Sequence, residues 1–176
     1  MEKGYIQIYT GNGKGKTTAA LGQAFRAAGS GLNIVMVQFL KGRETGELES
    51  AKRLSENLRI IRIGETKKFF NEMSIEEIEQ LKEKIAEEIK KVIEILEKKQ
   101  TDILILDEIF GAITNQLISR DVLHSMLDKK PEEMEIILTG RAAELEFIER
   151  ADIVTEMKEI KHYYQKGVKI RKGIEW

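Results

Sequence analysis

The chain has 176 residues, 41% of them hydrophobic and 34% charged, which is typical of one folded domain and excludes a disordered chain. Its 29 basic and 30 acidic residues leave no basic surplus for nucleic acid, and the lack of cysteine excludes disulfides and a cysteine nucleophile. No apolar stretch approaches the length of a membrane span and Met1 to Lys3 opens no signal peptide, so we expect a cytoplasmic protein without nucleic-acid or membrane partners.

Short apolar runs alternate along the chain with amphipathic or alanine-rich segments. The predicted strands are 5–9, 33–39, 58–63, 102–106, 135–139, 153–157 and 168–171. The predicted helices are 17–28, 47–56, a long helix opened by Ser74, 119–127 and 144–149. This alternation favours a mostly parallel sheet covered on both faces. No repeat or Pro/Ser-rich linker interrupts it, so we expect a single domain over residues 1–176.

The long helix has a clear start signal. Ser74 and Glu77 have the spacing of a capping box. Apolar residues then recur every three or four positions from Ile75 to Leu96, as on a helix that buries one face. The Glu and Lys residues between them alternate in sign, which is typical of a solvated face.

A glycine-rich turn, TGNGKGKTT, lies between the first predicted strand and helix. Gly15-Lys16-Thr17 completes a Walker A pattern, G-x-x-x-x-G-K-[ST], in its usual strand–turn–helix context. Thr10 stands where the first glycine belongs, so the match is a variant in which other glycines supply the backbone freedom. We predict an anion-binding nest for nucleotide phosphates, with Lys16 reaching phosphate oxygens and the Thr17 hydroxyl on Mg²⁺.

Charged residues follow two further buried strands. Asp107 and Glu108 end the run ILIL and are candidate Mg²⁺ ligands, directly or through water; alternatively, Asp107 caps the next helix. Arg141 follows another strand and either reaches the phosphates or lies on the surface. Arg26, nine positions along the first helix, either folds back towards phosphate or pairs within its own helix.

Several nucleotide-dependent activities compete at this point. A GTPase usually carries an Asn-Lys-x-Asp base reader, which residues 114–117 do not form. A small-molecule kinase usually has an arginine-rich lid, and no such segment is visible. An ATPase stays open, because Glu108 after Asp107 can polarise a water. All of these enzymes break a bond at phosphorus.

A series of motifs in fixed order separates this chain from those classes. The motifs are TGNGKGKTTAALG, VQFLKG, LDE, LTGR, ADIVTEM, Lys161-His162 and the ending GIEW. The series resembles the P-loop type of ATP:corrinoid adenosyltransferase from about Tyr5 to Trp176. The Walker loop alone is weak evidence for that family, whereas the ordered series is specific.

The resemblance implies transfer of the 5′-deoxyadenosyl group of ATP to a Co(I) corrinoid, with release of triphosphate, in adenosylcobalamin synthesis or salvage. It implies a three-layer P-loop NTPase (RecA-like) α/β fold, Mg²⁺ or Mn²⁺, a homodimer and a reduced-flavin electron donor. Catalytic roles fall to Lys16 and Glu108, and metal binding to Thr17, Glu108 and Asp107. The residues that match ATP contacts are Gly11, Asn12, Gly13, Lys14, Gly15, Lys16, Thr17, Thr18 and Arg26, with Arg141 a further candidate.

The chain departs from the family pattern in two places. It begins at its first strand, where relatives often carry an N-terminal extension. A Gly-Phe-Thr-Trp stretch found near the corrinoid in relatives is replaced by residues 64–71, GETKKFFN. We hypothesise that Phe69 or Phe70 acts as an apolar wedge that displaces the lower axial ligand of cobalt. The alternative is that both rings pack in the core or in a dimer interface.

Overall fold

The computed structural model describes residues 2–54, 56–68 and 70–175. Its strands are β1 (Ile6–Thr10), β2 (Ile34–Phe39), β3 (Leu58–Ile63), β4 (Ile103–Asp107), β5 (Glu135–Thr139) and β6 (Ile153–Glu156). Its α-helices are α1 (Lys16–Gly29), α2 (Gly46–Leu54), α3 (Ile75–Glu97), α4 (Ile109–Thr114), α5 (Arg120–Asp128) and α6 (Leu145–Arg150). Short 3₁₀ helices lie at Phe70–Glu72 and Tyr163–Lys166.

Most predicted elements are present, with ends shifted by one or two residues. The predicted strand 168–171 is wrong. Its residues are exposed, and the Arg171 N–H donates to the Glu175 carboxylate at 2.8 Å in a local turn instead of joining a ladder. Helix α4 was not predicted, because its sequence IFGAIT is almost entirely apolar and has no polar face to reveal a helical period.

The strands form one sheet in the order β3-β2-β4-β5-β1-β6. Every pairing between them is parallel, as predicted. All carboxyl ends therefore meet at one edge. Strands β2, β4 and β5 are buried along their whole length, which explains why they are continuous apolar runs in the sequence.

Helices cover both faces of the sheet, which gives the predicted three-layer α/β fold. The larger core packs the sheet against α3, α4, α5 and Phe147 of α6. The smaller core packs Ala20, Ala24 and Ala27 of α1 against the other face. Small side chains on α1 let that helix lie close to the sheet, so its amino end is held firmly at the carboxyl edge. Among the described residues, no helix combines the length and apolar character needed to cross a membrane.

The capping box of α3 is formed as predicted. The Ser74 hydroxyl accepts the Glu77 N–H at 3.2 Å, and the Glu77 carboxylate accepts the Ser74 N–H at 2.9 Å. We expect Ser74→Ala to lower the free energy of unfolding by about 1 kcal/mol in urea denaturation. The Glu77 N–H loses its acceptor, and the reciprocal bond from the Ser74 N–H to the Glu77 carboxylate loses its support. Ser50→Ala, at an exposed position of α2, is the matched control. Equal stability changes in both variants would contradict this role for the cap.

Candidate nucleotide and metal site

The candidate site lies at the carboxyl edge of the sheet, where β1, β5 and β4 are neighbours. The glycine turn follows β1, Arg141 follows β5, and Asp107 and Glu108 follow β4. Parallel pairing brings residues that are about a hundred positions apart in sequence to the same level. In parallel α/β sheets this edge is where ligands bind.

The turn after β1 has the backbone of an anion nest. Gly11 and Gly15 have φ values of 96° and 120°, which residues other than glycine rarely adopt. A Cβ on Gly13 would lie 2.6 Å from the Met157 carbonyl oxygen, so the loop and the chain after β6 are in close contact. Helix α1 begins at Lys16, so its first N–H groups have no partner four residues earlier and face the loop end. These amides and the helix dipole favour a bound anion.

Lys16 is held inside this loop. Its side chain is buried, and Nζ donates to the carbonyl oxygens of Gly11 at 2.7 Å and Gly13 at 2.9 Å. Burial lowers the pKa of Lys16; the charges of Glu108 and Asp107 oppose that shift and Arg141 adds to it. The ammonium therefore lies beside the nest, and its hydrogen-bond partners among the described residues are two loop carbonyls, which a phosphate can replace.

The residue that breaks the Walker pattern has a structural role. Thr10 ends β1, and its hydroxyl donates to the Arg141 carbonyl at 3.1 Å and accepts the Ala143 N–H at 3.2 Å. The Gly11 N–H also donates to the Arg141 carbonyl, at 3.2 Å. A glycine at position 10 would lose both side-chain bonds, so threonine here ties the glycine turn to the loop after β5.

Asp107 is the centre of a buried hydrogen-bond network. Its carboxylate is fully buried, and Oδ1 accepts the hydroxyls of Thr17 at 2.8 Å and Thr139 at 2.7 Å. Oδ2 accepts Lys41 Nζ at 2.5 Å. Asp107 does not cap α4, so that alternative is wrong: the N-cap position is Glu108, without a side-chain cap bond. Asp107 instead orients the Thr17 hydroxyl by accepting its hydrogen bond.

Glu108 has an unusual backbone and environment. Its φ of 64° lies in the left-handed region, a strained conformation for glutamate of the kind that clusters at functional sites. The Glu108 N–H donates to Thr139 Oγ1 at 2.9 Å. A Cβ on Gly111 would lie 2.8 Å from Glu108 Oε1, so glycine there leaves room for the carboxylate. Burial and the neighbouring Asp107 charge raise the pKa of Glu108, while Lys16, Lys41 and Arg141 oppose the shift.

The raised pKa of Glu108 predicts a gain in stability when its charge is removed. Above the ordinary pKa of 4.5, the ionised carboxylate costs folding free energy, and that cost grows until pH passes the raised value. We expect Glu108→Gln to raise the melting temperature of the metal-free protein at neutral pH. Below pH 4.5 both side chains are neutral and the gain should vanish. A gain that persists in acid, or none at neutral pH, would contradict this environment for Glu108.

The oxygen donors at this edge fit a magnesium ion held mainly by phosphate and water. Because the Thr17 hydroxyl donates its hydrogen bond to Asp107, its oxygen lone pairs are free to bind a cation on the other side. Asp107 and Glu108 add carboxylate oxygens, the ligand type that Mg²⁺ prefers. Among the described residues, no group of three or more His, Asp or Glu side chains is placed to hold a metal alone. A magnesium ion at this edge would take further oxygen ligands from phosphate or water.

The remaining predicted residues lie in different places. The charge of Arg141 acts on both Lys16 and Glu108, so it belongs to the site's surroundings. Arg26 lies about 15 Å along α1 from Lys16, and the structure does not bring it together with the other predicted ligands. Phe70 packs partly buried against the larger core, as in the packing alternative. Phe69 lies outside the described residues.

Two side chains of the network were missed by sequence reasoning. Thr139 and Lys41 both contact Asp107, although neither was singled out. The available signal was their position: each lies in a motif, LTGR or VQFLKG, that ends a strand adjacent to β4. Polar residues at the carboxyl ends of neighbouring parallel strands therefore indicate site residues as the carboxylates do.

Comparison with known proteins points to one family. The family model for "ATP:corrinoid adenosyltransferase BtuR/CobO/CobP" matches residues 2–176. A corrinoid adenosyltransferase of Sinorhizobium sp is 35% identical over 99% of this chain and 81% of its own length. That of Escherichia coli K12 is 31% identical over 99% of this chain and 87% of its own. That of Salmonella typhimurium is 32% identical with the same coverage.

The structural comparison includes a KaiC-like protein from Pyrococcus horikoshii OT3, with a TM-score of 0.48 and 21% identity over 90% of this chain and 75% of that one. The family assignment depends on the sequence match, which covers every element of the sheet and every residue of the candidate site. The chain therefore belongs to the ATP:corrinoid adenosyltransferase family.

Proposed function

We propose that this protein transfers the 5′-deoxyadenosyl group of ATP to the Co(I) centre of a corrinoid and releases triphosphate, a step of adenosylcobalamin synthesis. The observation that carries the proposal is the family match over residues 2–176. The site supports it, because a glycine nest, a buried lysine and two carboxylates meet at one sheet edge. These groups suit a polyphosphate with a divalent cation.

The reaction exchanges one bond at carbon for another. The electron pair of Co(I) attacks C5′ of the ribose, the cobalt–carbon bond forms, and the C5′–O5′ bond breaks. Its electron pair leaves on the triphosphate, so negative charge grows along the whole leaving group. The nucleophile belongs to the acceptor substrate, and the protein needs no catalytic base.

The protein's part is to stabilise the leaving group before the reaction begins. The amides at the start of α1 and the Lys16 ammonium are fixed beside the phosphate position, and Lys14 adds charge on the exposed side of the loop. Donors that are already oriented cost no reorganisation when charge develops, which makes them effective catalysts. Arg141 is proposed as a further phosphate contact. Arg26 stays a prediction supported by the family resemblance alone, because it lies about 15 Å along α1 from Lys16.

Mg²⁺ or Mn²⁺ is proposed as the cofactor, held by Thr17 and Glu108 with Asp107 behind them. When bound, the cation neutralises phosphate oxygens and so favours departure of triphosphate. Asp107 keeps the Thr17 hydroxyl turned so that its lone pairs point away from the carboxylate. Such orientation of a ligand by a second carboxylate is common around protein metal sites.

We further propose a homodimer, a cytoplasmic location and reduction of the corrinoid by a reduced-flavin protein. The homodimer and the reductant are supported by the family resemblance, and the location by a cysteine-free sequence without a membrane-length apolar stretch. A role for Phe69 or Phe70 against the corrinoid stays a prediction of the same kind.

Product analysis tests the proposed activity directly. The protein is incubated with Mg-ATP and a chemically reduced corrinoid, and both nucleotide and corrinoid products are identified. Intact triphosphate together with the spectrum of an adenosyl-corrinoid supports adenosyl transfer. ADP or phosphate would indicate an ATPase or kinase, and tight ATP binding without any product would indicate a nucleotide sensor. Either of those results would overturn the proposal.

A further inference from the structure

Lys41 follows β2 on a turn whose backbone is tightly constrained. Leu40 has a φ of 61°, in the left-handed region that disfavours side chains other than glycine. A Cβ on Gly42 would lie 2.1 Å from the Thr66 carbonyl oxygen, so only glycine fits there. These two neighbours constrain the backbone on both sides of Lys41. Strained backbone of this kind is often kept for function.

The ammonium of Lys41 reaches a buried carboxylate. Nζ lies 2.5 Å from Asp107 Oδ2, and the Lys41 side chain is 26% exposed while that of Asp107 is fully buried. Glu47 is 4.0 Å from the same ammonium, so Asp107 is the closer partner. Asp107 Oδ1 already accepts hydrogen bonds from two hydroxyls. The remaining capacity of the carboxylate is on Oδ2, and Lys41 occupies it.

The Lys41 ammonium and a hydrated cation offer Asp107 Oδ2 the same kind of interaction. A buried carboxylate is costly without a counter-ion, so some positive charge is required at Oδ2 when no metal is bound. The ammonium supplies positive charge and N–H donors, and water on a divalent cation supplies positive charge and O–H donors. The two cannot occupy the position together, because their charges repel at such short range.

We propose that Lys41 is the counter-ion of Asp107 in the metal-free protein and that it competes with the divalent cation for Oδ2. This inference rests on the metal site of the proposed function. Breaking the Lys41–Asp107 pair lowers the affinity for the free cation. The cation therefore enters together with the triphosphate group of ATP. The negative charge of that group compensates for the lost ion pair, and its oxygens bind the released ammonium. Lys41 is thus a positioning residue that couples metal binding to ATP binding.

Mn²⁺ binding to the nucleotide-free protein tests the competition, with electron paramagnetic resonance as the readout and no corrinoid present. We expect Lys41→Met and Lys41→Gln to bind Mn²⁺ at least about tenfold more tightly than the wild type, because a hydrogen bond between charged groups is ordinarily worth more than that factor. We also expect Lys41→Met to melt at a lower temperature without metal and to be stabilised by Mn²⁺ more than the wild type. Lys41→Arg keeps the charge and should keep the weak affinity.

Two comparisons separate this role from a general structural one. Lys52→Met removes an exposed lysine of α2 that pairs with Glu49 at 2.9 Å, and it should leave Mn²⁺ affinity unchanged. In an Asp107→Asn background, Lys41→Met should bring no gain, because the shared carboxylate is gone. Mn²⁺ affinity that is unchanged or weaker in both Lys41→Met and Lys41→Gln would overturn the inference. Failure of the wild type to form a cobalt–carbon bond would instead overturn the proposed function.

Discussion

Replacing Lys16 with methionine should lower kcat/KM for adenosyl transfer by about a hundredfold to a thousandfold, the usual loss when one preorganised donor to a developing anion is removed. The Lys16 ammonium lies beside the glycine nest and donates to the carbonyls of Gly11 and Gly13. Methionine keeps the length of the side chain and removes its charge. Steady-state rates with saturating corrinoid, measured over a range of ATP concentrations, give the effect on kcat and KM separately.

The control for this variant is Lys82→Met, which removes a lysine from the solvated face of α3, where it pairs with Glu79 at 2.8 Å. That variant should keep the wild-type rate. The melting temperature of Lys16→Met should fall, because the carbonyls of Gly11 and Gly13 lose a buried donor, so the rates are compared well below that temperature. A loss of less than about fivefold in kcat/KM would remove Lys16 from the stabilisation of the leaving group.

Glu108→Gln should lower adenosyl transfer by on the order of a hundredfold at low Mg²⁺, and higher Mg²⁺ should partly restore it. The amide is a poorer ligand than the carboxylate for a hard cation, so the apparent affinity for metal falls. The same substitution should stabilise the metal-free protein at neutral pH. Burial and the Asp107 charge raise the pKa of Glu108, so its ionised carboxylate costs folding free energy, whereas glutamine does not. Higher stability with lower activity is typical of residues kept for function.

The measurement is a titration of the initial rate with Mg²⁺ at fixed ATP, for the wild type, Glu108→Gln and a control. Glu97→Gln is a suitable control, because Glu97 ends α3 and forms an exposed pair with Lys129 at 2.7 Å. If the Mg²⁺ dependence of Glu108→Gln matches that of the wild type, Glu108 does not bind the metal.

The sheet was predictable because its signals are local. Continuous apolar runs marked β2, β4 and β5, and the alternation of strands with helices indicated parallel pairing. The capping box placed the start of α3 at Ile75 within the sequence itself. Helix α4 was missed for the opposite reason: most of its side chains are buried and apolar, so it carries no periodic pattern.

The site was only partly predictable, because its contacts depend on strand order. The Walker pattern and the two carboxylates are sequence signals. The contacts of Asp107 with Lys41 and Thr139 arise because β4 lies between β2 and β5, an order that no local pattern specifies. The sequence does not predict the left-handed backbone of Leu40 and Glu108 either, since neither residue is glycine. The strand predicted at 168–171 failed because its β-branched residues have no neighbouring strand to pair with.

The claim on which the account depends is that carbon, and not phosphorus, is attacked. ATP labelled with ¹⁸O at the bridging O5′ position tests it, with mass spectrometry of the products after incubation with Mg²⁺ and reduced corrinoid. Cleavage of the C5′–O5′ bond predicts that the label leaves in triphosphate while the adenosyl group joins cobalt. Label that stays with the nucleoside as part of ADP, with unlabelled phosphate as the other product, would contradict the account.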